Sequence, residues 1–542
     1  MNEGLQPTPT PAHPPGGIGA FAPLGNGVFR TLWLVWLISN VCMWMNDVAA
    51  AWLMTSLSGS PVMVALVQTA STLPVFLLGL PSGAIADIVD RRRLLLTTQF
   101  WIAATGTLLS LTVSMGWIDA PLLLGLTLLN GVALALRWPV HSALIAEIVP
   151  RPQLPSALAL SGVAMNASRI IGPTIAGALI ASLGTGWVFG TNAALAVVSG
   201  TLLVLWRRPT RPLSLPGERF LGAMRVGIQH VRQSDRMRAA LLRVSLFFMH
   251  SSALMAMMPL IAKSLPGGSA GTYTMMMSAT GLGAVLSVFM IPRWRRTLPH
   301  DAIIRRGIVV QAAMMVAVVF APNVWLALPA LFVNGVAWLT VANTISVTAQ
   351  LSLPNWVRAR GMSMYQMALM GSTAAGAAFW GQIATFTSVR TGVLAAAISG
   401  CVALWLTRRH EIASTPPDDL TPSARRAPPD AGQPVDGGAG PVVVTIEYRV
   451  DPARAAGFDA VMQETRRRRL SQGALSWTLL RDTADPAVWV EHIVDETWHD
   501  HLRRFDRLTA VDDELRARRY AFHIGEAPPR VTRCVAWSAP RG

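Results

Sequence analysis

Between residues 29 and 407 the chain is cut into twelve apolar runs, at 29–56, 61–84, 94–116, 120–148, 156–182, 186–206, 241–263, 270–291, 302–321, 323–350, 360–386 and 388–407. Each matches or exceeds the roughly 20 residues that a helix needs to cross the hydrocarbon core of a bilayer. In that medium a backbone has no water to bond to, so every run must satisfy its own N–H and C=O groups as a helix. Runs beyond the minimum length imply tilt or projection beyond the bilayer. The expected fold is therefore an all-α membrane protein with twelve transmembrane helices. A composition that is 52% hydrophobic and only 14% charged agrees with this and excludes a soluble protein of the same size.

The charges between the runs set orientation. One side of the expected bilayer carries Arg91 to Arg93, Arg151, nine arginines from Arg207 to Arg243, and then Arg293, Arg295, Arg296, Arg305, Arg306, Arg358, Arg360, Arg408 and Arg409; the other carries Lys263 and Arg390. Positive loops stay on the cytoplasmic side, so both termini are expected there, in the cell (inner) membrane. The net charge of +16 is explained by this topology, and no nucleic-acid partner is expected. Residues 1–27 read as a disordered N-terminus with no cleavable signal.

The chain also repeats itself. A shift of 204 residues lays Arg91-Arg92 on Arg295-Arg296, Asn130-Gly-Val-Ala133 on Asn334-Gly-Val-Ala337, Pro150 on Pro354, Gly172 on Gly376 and Gly177 on Gly381. One ungapped offset across three helices and two loops implies two parallel six-helix halves, at 28–206 and 241–409, with a site between them. Residues 207–240 link the halves. There Phe220, Met224, Ile228 and Val231 fall at helical spacing, which predicts an amphipathic helix lying on the membrane.

Chemistry is concentrated in a few places. Asp47, beside Asn46, lies inside the first run, where a carboxylate costs at least ~2.5 kcal/mol and must face a cavity or a cation. The candidate cations are Arg137, with His141 one turn on, and Arg169. These five are the candidate substrate and proton residues. Glu147 ends the fourth run and could pair with Arg91 or Arg92 as a gate. The single lysine, Lys263, is preceded by Ala262, so the Gly-Lys pair of a phosphate-binding loop cannot form and ATP hydrolysis is excluded. Three cysteines far apart offer no metal-ligand spacing, and no cofactor or metal is expected.

The stretch Gly83-Ala-Ile-Ala-Asp87-Ile-Val-Asp90-Arg91-Arg92-Arg93 resembles the loop between helices two and three of the major facilitator superfamily, G-x-x-x-D-R-x-G-R-R. Gly83, Asp87, Arg91 and Arg92 match; Ile88 and Asp90 depart. Gly172-Pro173-x-x-Ala176-Gly177 resembles the G-P-x-x-G-G signature of the superfamily's antiporters, with Ala in place of one Gly. With Val48-Ala-Ala-Ala-Trp52, these stretches are similar to the enterobactin-exporter-like, or transmembrane secretion effector, branch. The resemblance implies a secondary active transporter, not an enzyme. It would export a small molecule (siderophore, drug or other metabolite) by alternating access, in exchange for protons.

Residues 410–440, rich in Pro, Asp, Ala and Gly, read as a flexible linker. Beyond it, 441–542 read as strand, helix, strand, strand, helix, strand, the ferredoxin-like order. This order resembles the dimeric α+β barrels of antibiotic-biosynthesis monooxygenases and implies a homodimer through the tail. It leaves a tethered enzyme or a ligand-sensing tail as alternatives. Thr445, Glu447 and Arg449 alternate with Val444, Ile446, Tyr448 and Val450, so one sheet face is apolar and needs a cover. His492, His499 and His501 are expected to be solvated.

Overall fold

The computed structural model describes residues 21–205, 220–354, 356–408, 419–421, 423 and 432–536. Most of the N-terminal lead-in and most of the 410–440 linker therefore lie outside the described residues. The first half is α1 (Gly27–Leu57), α2 (Pro61–Ile88), α3 (Arg91–Ser114), α4 (Ala120–Ile148), α5 (Leu154–Ser182) and α6 (Thr185–Leu205). After α7 (Phe220–Gln233) the second half follows: α8 (Asp235–Ser264), α9 (Ala270–Thr297), α10 (His300–Val319), α11 (Val324–Leu351), α12 (Arg358–Phe386) and α13 (Val389–Leu406).

All twelve expected helices are present, and among the described residues eleven are long and apolar enough on their own terms to cross a membrane. The exception is α12, whose 29 residues include Arg358, Arg360, Gln366 and Gln382. It packs on α2 and α8, so part of its circumference meets protein, and it depends less on transfer to lipid for its stability.

Each matched glycine of the internal repeat has a close contact. Gly131 of α4 lies against α2, where an added Cβ would stand 2.9 Å from the Ser71 carbonyl oxygen, and Gly335 of α11 lies closer still to α9, against the Thr280 carbonyl oxygen. Gly172 of α5 touches α1, and its counterpart Gly376 of α12 touches α8. The next pair crosses the seam: Gly177 of α5 meets Thr274 of α9, and Gly381 of α12 meets Ala65 of α2. The halves are thus joined by two equivalent contacts, α5 with α9 and α12 with α2. Along the second, Thr69 Oγ1 donates to the Ala374 carbonyl at 2.9 Å. At the arginine-poor end an apolar cluster containing Val48, Leu53, Met257, Ile261 and Tyr273 closes the seam, and Lys263 Nζ donates to the Thr55 carbonyl at 2.8 Å.

The tail holds β1 (Val442–Arg449), α14 (Ala455–Ser471), β2 (Ser476–Arg481), β3 (Val488–Asp495), α15 (Trp498–Asp506), α16 (Ala510–Tyr520) and β4 (Arg530–Val535). Its antiparallel sheet has the order β2-β3-β1-β4. The apolar face of β1 (Val442, Val444, Ile446, Tyr448) is buried with Phe458 and Met462 of α14 and Trp498 of α15. The cover that this face demands is supplied by the chain itself. The open face carries Thr445, Glu447 and Arg449 opposite His492, Val490 and Val488.

The linker helix is α7, and it meets protein on two sides. One side meets the second half, with Gly227 against Arg360 and Met364 and Val231 buried in the cluster around Met237 and Phe247. The other side receives the tail through an Arg225–Glu496 ion pair, Val226 against Gly473, and Gln229 Nε2 donating to the Ala474 carbonyl at 3.5 Å. Trp356, in the loop before α12, joins all three parts: its ring meets His230 edge-on at 5.4 Å and lies under the Arg507 guanidinium at 5.0 Å. Removing both contacts by Trp356→Ala is expected to loosen this joint by roughly 1–2 kcal/mol. Hydrogen exchange should then quicken about tenfold in α7 and at Gln472–Ala474 while the transmembrane helices keep their protection. Unchanged exchange at both places would show that the joint does not rest on Trp356.

Candidate functional site

Two arginines and one aspartate are built into the middle of the helical core. Asp47 and Asn46 line a cavity of about 30 Å³ inside the first half, together with Ser39, Gln99, Asn192, Ser199 and Arg137. A water needs ~10–15 Å³ on this measure, so the space holds about two waters and no organic substrate until the helices part. Its wall has spare hydrogen-bonding capacity: both amide atoms of Asn192, Ser199 Oγ, and Nε and one Nη of Arg137 have no partner among the described residues. Asp47 likewise forms no ion pair with Arg137 or Arg169 there. The carboxylate faces the cavity and is not locked in a bridge, although it remains within electrostatic reach of Tyr273 in the second half.

Aromatic rings hold the cations. Trp36 of α1 stacks on His141 with centroids 3.8 Å apart and planes within 5°, and the Arg137 guanidinium lies 5.2 Å above the same indole. Arg137 and His141 thus share one ring, as their one-turn spacing on α4 allows. Arg169 is placed differently from a side chain reaching back to a membrane surface. Its guanidinium sits between Trp44 of α1, at 5.2 Å, and Trp338 of α11, at 4.5 Å. It therefore crosses the seam, and Trp338 is a site residue that local spacing does not reveal. Its sequence signal is only that Trp338 follows the repeated Asn334-Gly-Val-Ala337 stretch.

The antiporter-like stretch lies on the interior of α5, with Ala176 fully buried and Pro173 inside the helix. At Gly172 an added Cβ would come within 2.5 Å of Trp44 Cβ and 3.0 Å of the Val41 carbonyl. Since backbone cannot yield, Gly172→Val is expected to destabilise the folded core by ~1–3 kcal/mol through overpacking. A lower melting temperature in detergent is the readout, and an unchanged one would remove the close-approach argument.

The arginine loop is engaged in capping. Asp90 starts α3 by accepting from the Arg93 N–H at 2.8 Å. Arg92 donates to the Leu203 and Val204 carbonyls, at 3.1 and 2.7 Å, at the end of α6, where a cation also meets the negative end of the helix dipole. These bonds direct Arg92 to α6. Gly83, Asp87 and Glu147 belong to α2 and α4 by backbone, and their side chains lie outside the described residues.

In the tail, the expectation for the histidines needs correction. His499 is exposed, but His501 is fully buried, with Nδ1 2.8 Å from Asp495 Oδ2. Two residues apart on one helical turn, the two rings point in different directions, and the inward one finds a carboxylate.

Two six-helix halves with unpaired charges at their centre define a membrane transporter. The chain belongs to the transmembrane secretion effector family of major facilitator transporters, whose model matches residues 18–541. It is 24% identical over 380 residues to the MFS-type transporter YfiS of Bacillus subtilis, covering 68% of this chain and 89% of that protein. It is 20% identical over 251 residues to the staphyloferrin A transporter of Staphylococcus aureus (46% of this chain, 63% of that protein). It is 23% identical over 244 residues to macrolide efflux protein A of Streptococcus pyogenes (44% of this chain, 60% of that protein). The chain therefore spans about three-fifths of the length of the last two. In fold it is similar to a bacterial homologue of the human lysosomal transporter Spinster, inward-facing and unoccupied (TM-score 0.58, 14% identity, 72% of this chain and 96% of that one). It is also similar to the nucleoside transporter NupG (TM-score 0.57, 12% identity, 71% and 98%).

Proposed function

We propose that this transporter exports a small organic molecule from the cytoplasm by alternating access, in exchange for protons. The observation that carries the reading is the pairing of an unbridged carboxylate, Asp47, with Arg137 in one water-sized cavity, while Arg169 spans the seam between the halves. Asp47 is the exchangeable group. Arg137 and Arg169 attract an anionic or acid-bearing substrate, and the indoles of Trp44 and Trp338 offer flat apolar surface to the rest of it. The arginine asymmetry puts both termini and the tail in the cytoplasm, so the closed, arginine-poor end is the outer one. Gly172, Pro173, Ala176 and Gly177 let α5 slide against α1 and α9, and the Gly83 loop with Asp87, Asp90, Arg91, Arg92 and Glu147 forms the inner gate. A relative named as a macrolide efflux protein supports export as the direction. The test is uptake into inverted, reconstituted vesicles with an imposed pH gradient, across siderophores, acidic metabolites and cationic dyes. Gradient-driven accumulation of an acid-bearing compound is expected; accumulation of cationic dyes alone would overturn the substrate class.

A further inference from the structure

The tail contains a second built cavity, remote from the transport site. It lies between the inner face of the sheet and α14–α16 and measures about 110 Å³. A cavity of about 150 Å³ lined by apolar side chains takes benzene, so this one encloses a short acid or part of a ring, with the remainder reaching out past the exposed Arg533 at its edge. Its floor is apolar, made by Ile446, Ile493 and Phe505. Its walls are strongly cationic: six arginines line it against two aspartates, and counting Glu491 and Asp495 beneath them still leaves two guanidiniums in excess.

Several of these groups are deeply buried and unsatisfied. Arg519 is 7% exposed and its Nε has no partner among the described residues. Arg504 is 4% exposed, with Nη1 3.3 Å from Asp495 Oδ1 but not aligned for a hydrogen bond. His501 is fully buried, and its Nε2 is also unpartnered. Because Nδ1 faces the Asp495 carboxylate, the ring proton belongs on Nδ1, which makes Nε2 an acceptor. Burial also pushes the imidazole below its ordinary pKa, against the pull of Asp495, so the ring stays neutral. Unpaired guanidinium N–H groups call for an anion, and a lone imidazole acceptor calls for a hydroxyl donor.

We propose that the tail cavity binds a small hydroxy acid carried on an apolar ring, its carboxylate held by Arg504 and Arg519 and its hydroxyl donating to His501 Nε2. Arg533, on the exposed strand β4, guards the rim. The cavity also borders the joint with the transporter. Gln472, one of its lining residues, accepts at its carbonyl from Arg507 Nη1 at 2.5 Å, and that guanidinium rests on Trp356 before α12. Occupancy therefore has a mechanical route to the second half.

The site needs no gradient and no transport, so it stands or falls apart from the export reading. Equilibrium dialysis of radiolabelled salicylate against the purified full-length protein in detergent is the test. Saturable binding of one salicylate per chain is expected, with benzoate, which lacks the hydroxyl, binding about three- to tenfold more weakly. Inorganic phosphate should compete poorly because it gains nothing from the apolar floor. Arg533→Glu, at an exposed position on β4, should weaken salicylate at least tenfold, and Arg519→Gln should do the same. Absence of saturable binding by the unaltered protein, undiminished binding in both variants, or phosphate competing as well as benzoate would overturn the proposal.

Discussion

Asp47→Asn is expected to abolish pH-gradient-driven efflux and leave substrate exchange in the absence of a gradient intact. Asparagine keeps the shape of the side chain and one acceptor oxygen but cannot take up or release a proton. Asp47 faces a cavity with room for about two waters and has no ion pair that would hold it charged, so the loss falls on coupling, not on folding. Membrane insertion should, if anything, improve, since a carboxylate at mid-bilayer costs ~2.5–3.5 kcal/mol and an amide less. Reconstituted vesicles with and without an imposed gradient separate the two effects. The variant should accumulate substrate no better than empty vesicles while still exchanging labelled for unlabelled substrate. Unchanged response to the gradient would transfer the proton to another group.

Glu491→Gln should have the largest effect on the tail. Glu491 is fully buried on β3, where Oε1 accepts from Arg469 Nε at 3.1 Å and from Trp477 Nε1 at 3.0 Å, and Oε2 accepts from the Tyr448 hydroxyl at 3.0 Å. Removing the charge leaves Arg469 with its buried guanidinium uncompensated, at a cost of about 3–5 kcal/mol. The slowest amides of β1 and β3 should therefore exchange roughly two to four orders of magnitude faster. Rates equal to those of the unaltered protein would show that other groups neutralise these guanidiniums.

The same cluster predicts acid lability. Burial alone would raise the Glu491 carboxyl, but Arg469, Arg519 and the Trp477 N–H outweigh it and hold it below the ordinary carboxylate value. Asp495 is lowered in the same way by Arg504 and His501 against its burial. A carboxylate with a depressed folded pKa stabilises above its unfolded value of about 4 and loses that contribution as pH falls through the folded value. His501 is lowered by burial, so the unfolded chain takes up its proton first, and stability begins to fall below about pH 6.5. Both signs agree. Protection in the tail should be flat above neutrality, decline from about pH 6.5, and fall faster below about pH 4. A tail whose protection, corrected for intrinsic exchange, is constant down to pH 5 would contradict the buried, neutral His501.

What the sequence determined by itself is the part of the free energy that depends on local runs and periods. Transfer of an apolar run to hydrocarbon is nearly additive along the chain, so the helices, their number and the arginine bias could be read without knowing any neighbour. The 204-residue repeat was equally legible, and each matched glycine has its own close contact. Local alternation gave all four tail strands in their chain order. It missed α16, whose Asp512-Asp-Glu-Leu-Arg-Ala-Arg-Arg-Tyr520 run is too charged to show an apolar stripe. Only its Thr509–Asp512 capping box marks the start.

Tertiary structure decided every property that depends on which surfaces meet. It set Arg169 between Trp44 and Trp338, drew Arg92 to the end of α6, gave α12 neighbours that tolerate its polar residues, and wedged α7 between the core and the tail. It also turned His501 inward to Asp495, which no spacing within its own helix could specify. The physical reason is range. Hydrophobic periodicity acts over one helical turn, whereas a cation on an indole or a carboxylate on an imidazole requires two elements far apart in the chain to arrive at one place.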